Sequence, residues 1–285
     1  MTAAVEAEAP AIIDGLPAEA YHQDTTSISS TGLRALLAPG CPAQFKYDRD
    51  HPQAPKKEFD LGHAAHLYVL GEGPELEVID FPDWRKKDAQ IQRDEAYLAG
   101  KVPLLTKDHA MVVAMAEAIR QHPIAGPLFT PGSGVAEQSI YWTDKATGIR
   151  CRVRPDWRRG PIIVDYKTIK DAAPDTISRA IKDRSYHQQD ALYIDGVEAA
   201  GLAPDGARFV FVFQSKQAPY LVTVRELTDQ DRDIGRARNE RALRIYAECQ
   251  ATGIWPDWTG PVTEIPQIGM PTWDTLRQAE EYLQP

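Results

Sequence analysis

Three branched apolar residues, Ile162-Ile163-Val164, run straight into Asp165-Tyr166-Lys167. An apolar run bounded by turn residues reads as a central strand buried on both faces. Charged side chains are seldom placed there without partners. Side chains alternate along a strand, so Asp165 and Lys167 share one face while Val164 and Tyr166 share the other. The segment Trp157-Arg158-Arg159-Gly160 reads as a turn that folds Asp156 back toward Asp165. Two carboxylates held close together repel unless a cation neutralises them. Hard divalent ions take such oxygen ligands and keep several waters, one of which a neighbouring lysine can orient or help deprotonate. Acid, acid and lysine in this order suit in-line attack on a phosphodiester. Asp-x-Lys alone is a weak signal, because acid and lysine two apart are common on exposed strands. The apolar run before it and Asp156 nine residues upstream give it weight.

The surrounding pattern is mixed α/β. Strands are expected at 137–143, 149–156, 161–167, 207–214 and 220–226, the first three as an antiparallel meander. Helices are expected after the Ser29-Ser30-Thr31 cap, over 58–71, 107–122, 174–183 and 186–200, and from the Thr228 cap to Gly253. Residues 1–26, rich in Ala, Glu and Pro, read as a flexible lead-in. Residues 27–285 then form one domain: a mainly helical part over 27–130, an α/β core over 131–253 and a Trp/Pro-rich tail over 254–285. The chain has 285 residues, enough for a sizeable core without disulfides or a structural metal. Its net charge of −9 argues against coating nucleic acid through a global field, but not against a local basic groove. No apolar run reaches the ~18 residues of a membrane span. Scattered Cys41, Cys151 and Cys249 and the absence of an export-like start point to the cytosol.

Several motifs now line up. Pro155-Asp156 followed by Asp165-x-Lys167 resembles the PD-(D/E)xK nuclease motif. Gly62-His63-Ala64-Ala65-His66 resembles the Gly-x-Ala-x-His helix of the RecB-like branch, and Gln189-x-x-x-Tyr193 its Gln-x-x-x-Tyr helix. The chain is most similar to the exodeoxyribonuclease VIII (RecE-type) exonuclease domain of phages and prophages, over most of its length. The resemblance implies a restriction-endonuclease-like core, a mixed sheet with an antiparallel meander flanked by helices, carrying helical N-terminal additions. It implies metal ligation by His66, Asp156 and Asp165. Lys167 would position or activate water, and Gln189 would assist beside the metal. The ion would be Mg²⁺, with Mn²⁺ as an alternative. Spacing does not choose between His63 and His66; the resemblance chooses His66. Glu137 resembles a further family acid near the site, and its other reading is a solvated strand-edge acid. Cys41-Pro42 resembles the start of an iron–sulfur site in some relatives, but three further cysteines are missing, so a cluster-free member is expected.

For DNA, Arg150, Arg152 and Arg154 fall on the face of Asp156 by the period of two and suit a phosphate track, or simply a solvated strand. Arg85-Lys86-Lys87 is a second candidate contact. The resemblance adds Tyr186 and Tyr193 beside the DNA end. It further implies 5′→3′ digestion of double-stranded ends that leaves 3′ single strands, a RecT-type annealing partner and a ring tetramer. A related nuclease of other polarity, an endonuclease such as a Cas4-like or repair enzyme, and a non-catalytic DNA-binding module on the same fold are the alternatives.

Overall fold

The structure is a computed structural model that describes residues 8–52, 61–71, 73, 75–260 and 263–283. The chain runs through β1 (Ala11–Ile13), α1 (Ala18–Gln23), α2 (Ser30–Ala35), α3 (Pro42–Asp50), α4 (Leu61–Leu70), β2 (Leu76–Ile79), α5 (Lys87–Leu98) and β3 (Val102–Leu105). It continues with α6 (Thr106–Gln121), α7 (Ala125–Leu128), β4 (Val135–Ala136), β5 (Ser139–Thr143), β6 (Arg150–Val153), β7 (Trp157–Arg159) and β8 (Ile162–Ile169). The last part holds α8 (Pro174–Asp183), α9 (Tyr186–Ala199), β9 (Arg208–Ser215), β10 (Val222–Arg225), α10 (Asp229–Thr252) and α11 (Thr272–Tyr282).

The central sheet has the order β10-β9-β8-β7-β4. Its β8 and β9 run parallel, Ile162 opposite Arg208 through Ile169 opposite Ser215, and the other pairs are antiparallel. The parallel step requires a crossover, supplied by α8 and α9. Alternation sorts the strands onto two cores. Ile163, Phe209, Phe211 and Phe213 face Leu33, Leu192, Val197, Leu243 and Tyr246 of α2, α9 and α10. Val164, Tyr166, Val210 and Val212 face Met115, Ile119, Phe129 and Trp157 on the other side. α9 and α10 touch closely because Gly235 has no side chain: a Cβ there would sit 2.0 Å from His187 O. A second sheet, β1-β5-β6, packs beside the first, and β2-β3 form a small parallel pair.

Three sequence expectations change. The strand expected at 137–143 begins only at Ser139 (β5), Glu137-Gln138 separating it from β4 of the central sheet, and the expected three-strand meander is divided between two sheets, β5-β6 in one and β8 in the other. Trp157-Arg158-Arg159 is not a turn but β7, paired Trp157 to Val164 and Arg159 to Ile162, so the reversal is confined to Gly160 (φ 56°) and Pro161. Residues 8–26 are not a loose lead-in. There β1 pairs with β5, Ala11 opposite Tyr141, and Tyr21 of α1 is buried. Nothing in the local sequence announces a partner so far along the chain. Among the described residues no helix is long and apolar enough to cross a membrane.

Candidate metal centre

β7 is shorter than β8, and the site is built on that difference. Strand pairing stops at Trp157 opposite Val164. Beyond it the backbone of β8 has a free edge on the β7 side. The Tyr166 N–H on that edge donates instead to Asp156 Oδ2 at 2.7 Å. Pro155, lacking an N–H, could not continue the ladder in any case. Asp156 therefore stands where the next strand residue would be, with its carboxylate turned back onto β8.

Asp156 lies in the link from β6 to β7, where the chain leaves the small sheet for the central one. Glu137 lies in the opposite crossing, from β4 to β5. The two links touch: Glu137 N donates to Asp156 O at 3.2 Å. Glu137 adopts φ 49°, a left-handed conformation that costs a non-glycine residue about 1 kcal/mol or more. His66 arrives from α4, its ring tilted against Tyr166 with centroids 4.9 Å apart and its Nδ1 3.8 Å from Asp156 Oδ2. One ligand atom from each of His66, Glu137 and Asp156 lies within 4.8 Å of the others. The His63 side chain falls outside the described residues.

Asp165 and Lys167 sit on the neighbouring face of β8. Asp165 is buried; its Oδ1 accepts from Gln189 Nε2 at 2.6 Å and from Lys167 Nζ at 2.9 Å. Its Oδ2 lies 2.7 Å from Lys167 Nζ yet receives no well-directed hydrogen bond, an uncommon state for a buried oxygen. Lys167 Nζ also stands 5.3 Å from the centre of the Tyr186 ring. Tyr186 and Gln189 are on the first turn of α9, which follows Ser185 in a left-handed conformation (φ 51°). Tyr193 lies one turn further along α9.

The charges act on one another. Burial, then the Asp165 charge, holds the Asp156 carboxyl above the usual carboxylate range. Burial pulls Lys167 down, but Asp165 and Asp156 together outweigh it and raise its pKa, so the amine is an ammonium. Burial, followed by Tyr21, Asp165 and Asp156, raises the Tyr193 phenol well above its ordinary value. A surplus of buried negative charge, a buried oxygen without a directed partner and one imidazole together fit a hard or borderline divalent cation. His66, Glu137 and Asp156 are placed so that they could hold such an ion, with Asp165 close enough to act on Asp156; Glu137 is thus brought to the site rather than left at a solvated strand edge.

The arginine row turns out differently from its expected DNA track. Arg152 and Arg154 are buried. Arg152 Nη1 donates to Ser27 O at 2.5 Å and Ser27 Oγ at 2.8 Å; Arg154 donates to Ser139 Oγ at 2.6 Å and Leu16 O at 2.9 Å. Both guanidiniums lie over the Tyr21 ring, 5.1 and 4.2 Å from its centre. Arg150 donates to Ala9 O at 3.1 Å. The N-terminal segment, read from sequence as loose, is what covers them. Arg85 remains exposed on the loop before α5. One basic residue was missed: Arg34 of α2, close enough to feel Asp165, Tyr186 and Tyr193, donates to Arg184 O at 2.6 Å. No local motif marks it, since only the fold brings α2 to α9.

A mixed sheet that gathers an Asp, an Asp-x-Lys and a helical Gln at one strand edge defines a PD-(D/E)xK core. Residues 29–265 match the model of a PDDEXK-like domain of unknown function (DUF3799), and the chain belongs to that family. Its fold is similar to the crystal structure of a "Putative exonuclease" from Eubacterium rectale, with TM-score 0.57 and 13% identity over 91% of this chain and 97% of that one. Among curated proteins no sequence match was found.

Proposed function

We propose that the protein is a divalent-metal-dependent deoxyribonuclease acting on double-stranded DNA ends, 5′→3′, to leave 3′ single strands. The observation that carries the nuclease reading is the convergence of His66, Glu137 and Asp156 beside the Asp165–Lys167–Gln189 set at the free edge of β8. The similar fold of a protein named as an exonuclease supports it. The polarity, the DNA substrate and the RecT-type annealing partner rest on the RecE-type motif resemblance.

His66, Glu137 and Asp156 would hold the ion, with the Asp165 carboxylate beside them. A bound Mg²⁺ or Mn²⁺ would neutralise these acids and polarise a phosphate oxygen. The protein's own groups do the rest. Lys167, kept cationic by Asp165, offers N–H donors to an attacking water or a non-bridging phosphate oxygen. Gln189 fixes the Asp165 carboxylate and so the position of Lys167. The Tyr186 ring, 5.3 Å from the ammonium, offers it a cation–π contact.

The test is digestion of a linear duplex labelled at one 5′ or one 3′ end, with and without Mg²⁺, beside a covalently closed circle and an Asp165→Asn control. Early release of the 5′ label with the circle intact is the expected result. A cut circle moves the protein to the endonuclease class. Absence of cleavage with every divalent ion, or undiminished cleavage by Asp165→Asn, refutes the assignment.

A further inference from the structure

Glu137 brings its carboxylate to the centre on a left-handed backbone, and the two residues after it, Gln138 and Ser139, are polar and buried. A strained conformation persists only where its surroundings over-determine it, and buried polar side chains need partners. Both needs are met from one place, residues 11–24. Gln138 Nε2 donates to Asp14 Oδ1 at 2.7 Å, and its Oε1 accepts from Arg158 Nε of β7 at 2.8 Å. Ser139 lies opposite Ile13 in the β1–β5 pair, and its Oγ accepts from Arg154 Nε at 2.9 Å and Arg154 Nη2 at 2.6 Å. The same Nη2 donates to Leu16 O at 2.9 Å.

Residues 11–24 thus form a strap across the two links that carry Glu137 and Asp156. Its holds are on Gln138, directly after Glu137, and on Arg154, shortly before Asp156. Asp14 is the outer anchor: it is exposed, while the Gln138 amide that it holds is buried. Further along, the buried Tyr21 ring packs against the Arg152 and Arg154 guanidiniums and is close enough to Glu137 to feel its charge. An amide held at both ends, by the strap on one side and by β7 on the other, fixes the peptide that follows Glu137.

We infer that the strap positions the metal centre: Asp14, acting through Gln138, holds the backbone that presents Glu137 to His66 and Asp156. Asp14 is not one of the donors, so it is a positioning residue. Its role rests on the reading of His66, Glu137 and Asp156 as metal ligands, and not on which nucleic acid the centre acts on.

The experiment measures Mn²⁺ binding to the full-length chain from the electron paramagnetic resonance signal of the free ion. Asp14→Ala removes the acceptor and, because Asp14 is exposed, opens no cavity. Its dissociation constant for Mn²⁺ is expected to rise roughly 10-fold. Asp14→Asn keeps an acceptor for Gln138 and is expected to bind like wild type. Glu137→Gln, the control for the ligand reading, is expected to bind more weakly than either. Circular dichroism melts check that all three variants stay folded. A wild-type chain that does not bind Mn²⁺, or a Glu137→Gln chain that binds it like wild type, takes away the ligand reading and the role of the strap with it. Where Glu137→Gln is impaired, an Asp14→Ala chain that binds like wild type overturns the role of the strap alone. So does an Asp14→Asn chain that binds as weakly as Asp14→Ala.

Discussion

Ile162–Val164 and Asp165–Lys167 are consecutive halves of one strand with the same alternation and the same parallel partner, β9. They differ on the other side. The first half is paired with β7, and its side chains fill the two cores. The second half has outrun β7, and its free edge holds a carboxylate where a strand would be. Charged groups are tolerated there because each finds a partner: Asp165 has Lys167 and Gln189, and Tyr166 N–H has Asp156. The lesson is that chemistry in this sheet begins at the residue where pairing ends.

The largest expected effect of breaking that division is in the second half. Asp165→Asn should lower single-turnover cleavage of a labelled duplex by roughly 10³-fold, about 4 kcal/mol, with the melting temperature little changed. In the paired half the effects should exchange. Ile163→Ala should cost about 3 kcal/mol in urea unfolding while leaving the rate per folded molecule as it was. Gln189→Ala sharpens the contrast from outside the strand: it frees Asp165 without touching the cores, and a roughly 10–100-fold rate loss is expected. Equal rate losses for Ile163→Ala and Gln189→Ala would show that the two halves are not separable.

The smallest effect concerns the buried neighbour of Gln189. Asp190 is pushed up to about 6 by burial, opposed by its bond from Arg232 Nε at 2.7 Å. The folded chain therefore binds this proton more tightly than the unfolded one. The stability it adds is full below the unfolded value of 3.8 and is lost as pH rises through about 6. Urea midpoints from pH 4 to 7 should show the decline in the wild type and not in Asp190→Asn. A variant with the same slope as wild type would remove Asp190 as its source.

Much of the second half was legible in the sequence, because strand alternation and helical spacing are local properties. Asp165 and Lys167 share a face as the period of two requires, and Gln189 and Tyr193 are one helical turn apart on α9. Thr228 caps α10 with its side chain, and Gly253 ends it in the left-handed region. What was illegible depends on pairing across long stretches of chain. The alternation that placed Arg152 and Arg154 with Asp156 is blind to the N-terminal segment that covers them. Glu137 read more readily as a solvated strand-edge acid, since its place follows from a left-handed backbone at a crossing between sheets.

That crossing has a consequence for how the molecule opens. Glu137 and Asp156 each lie in a link between the two sheets, and His66 sits on a helix packed against the central sheet. Local fraying of either sheet would pull at least one of them away. The centre then exists only in the fully closed molecule, and amides around Asp156 and Tyr166 should exchange with solvent only through global unfolding.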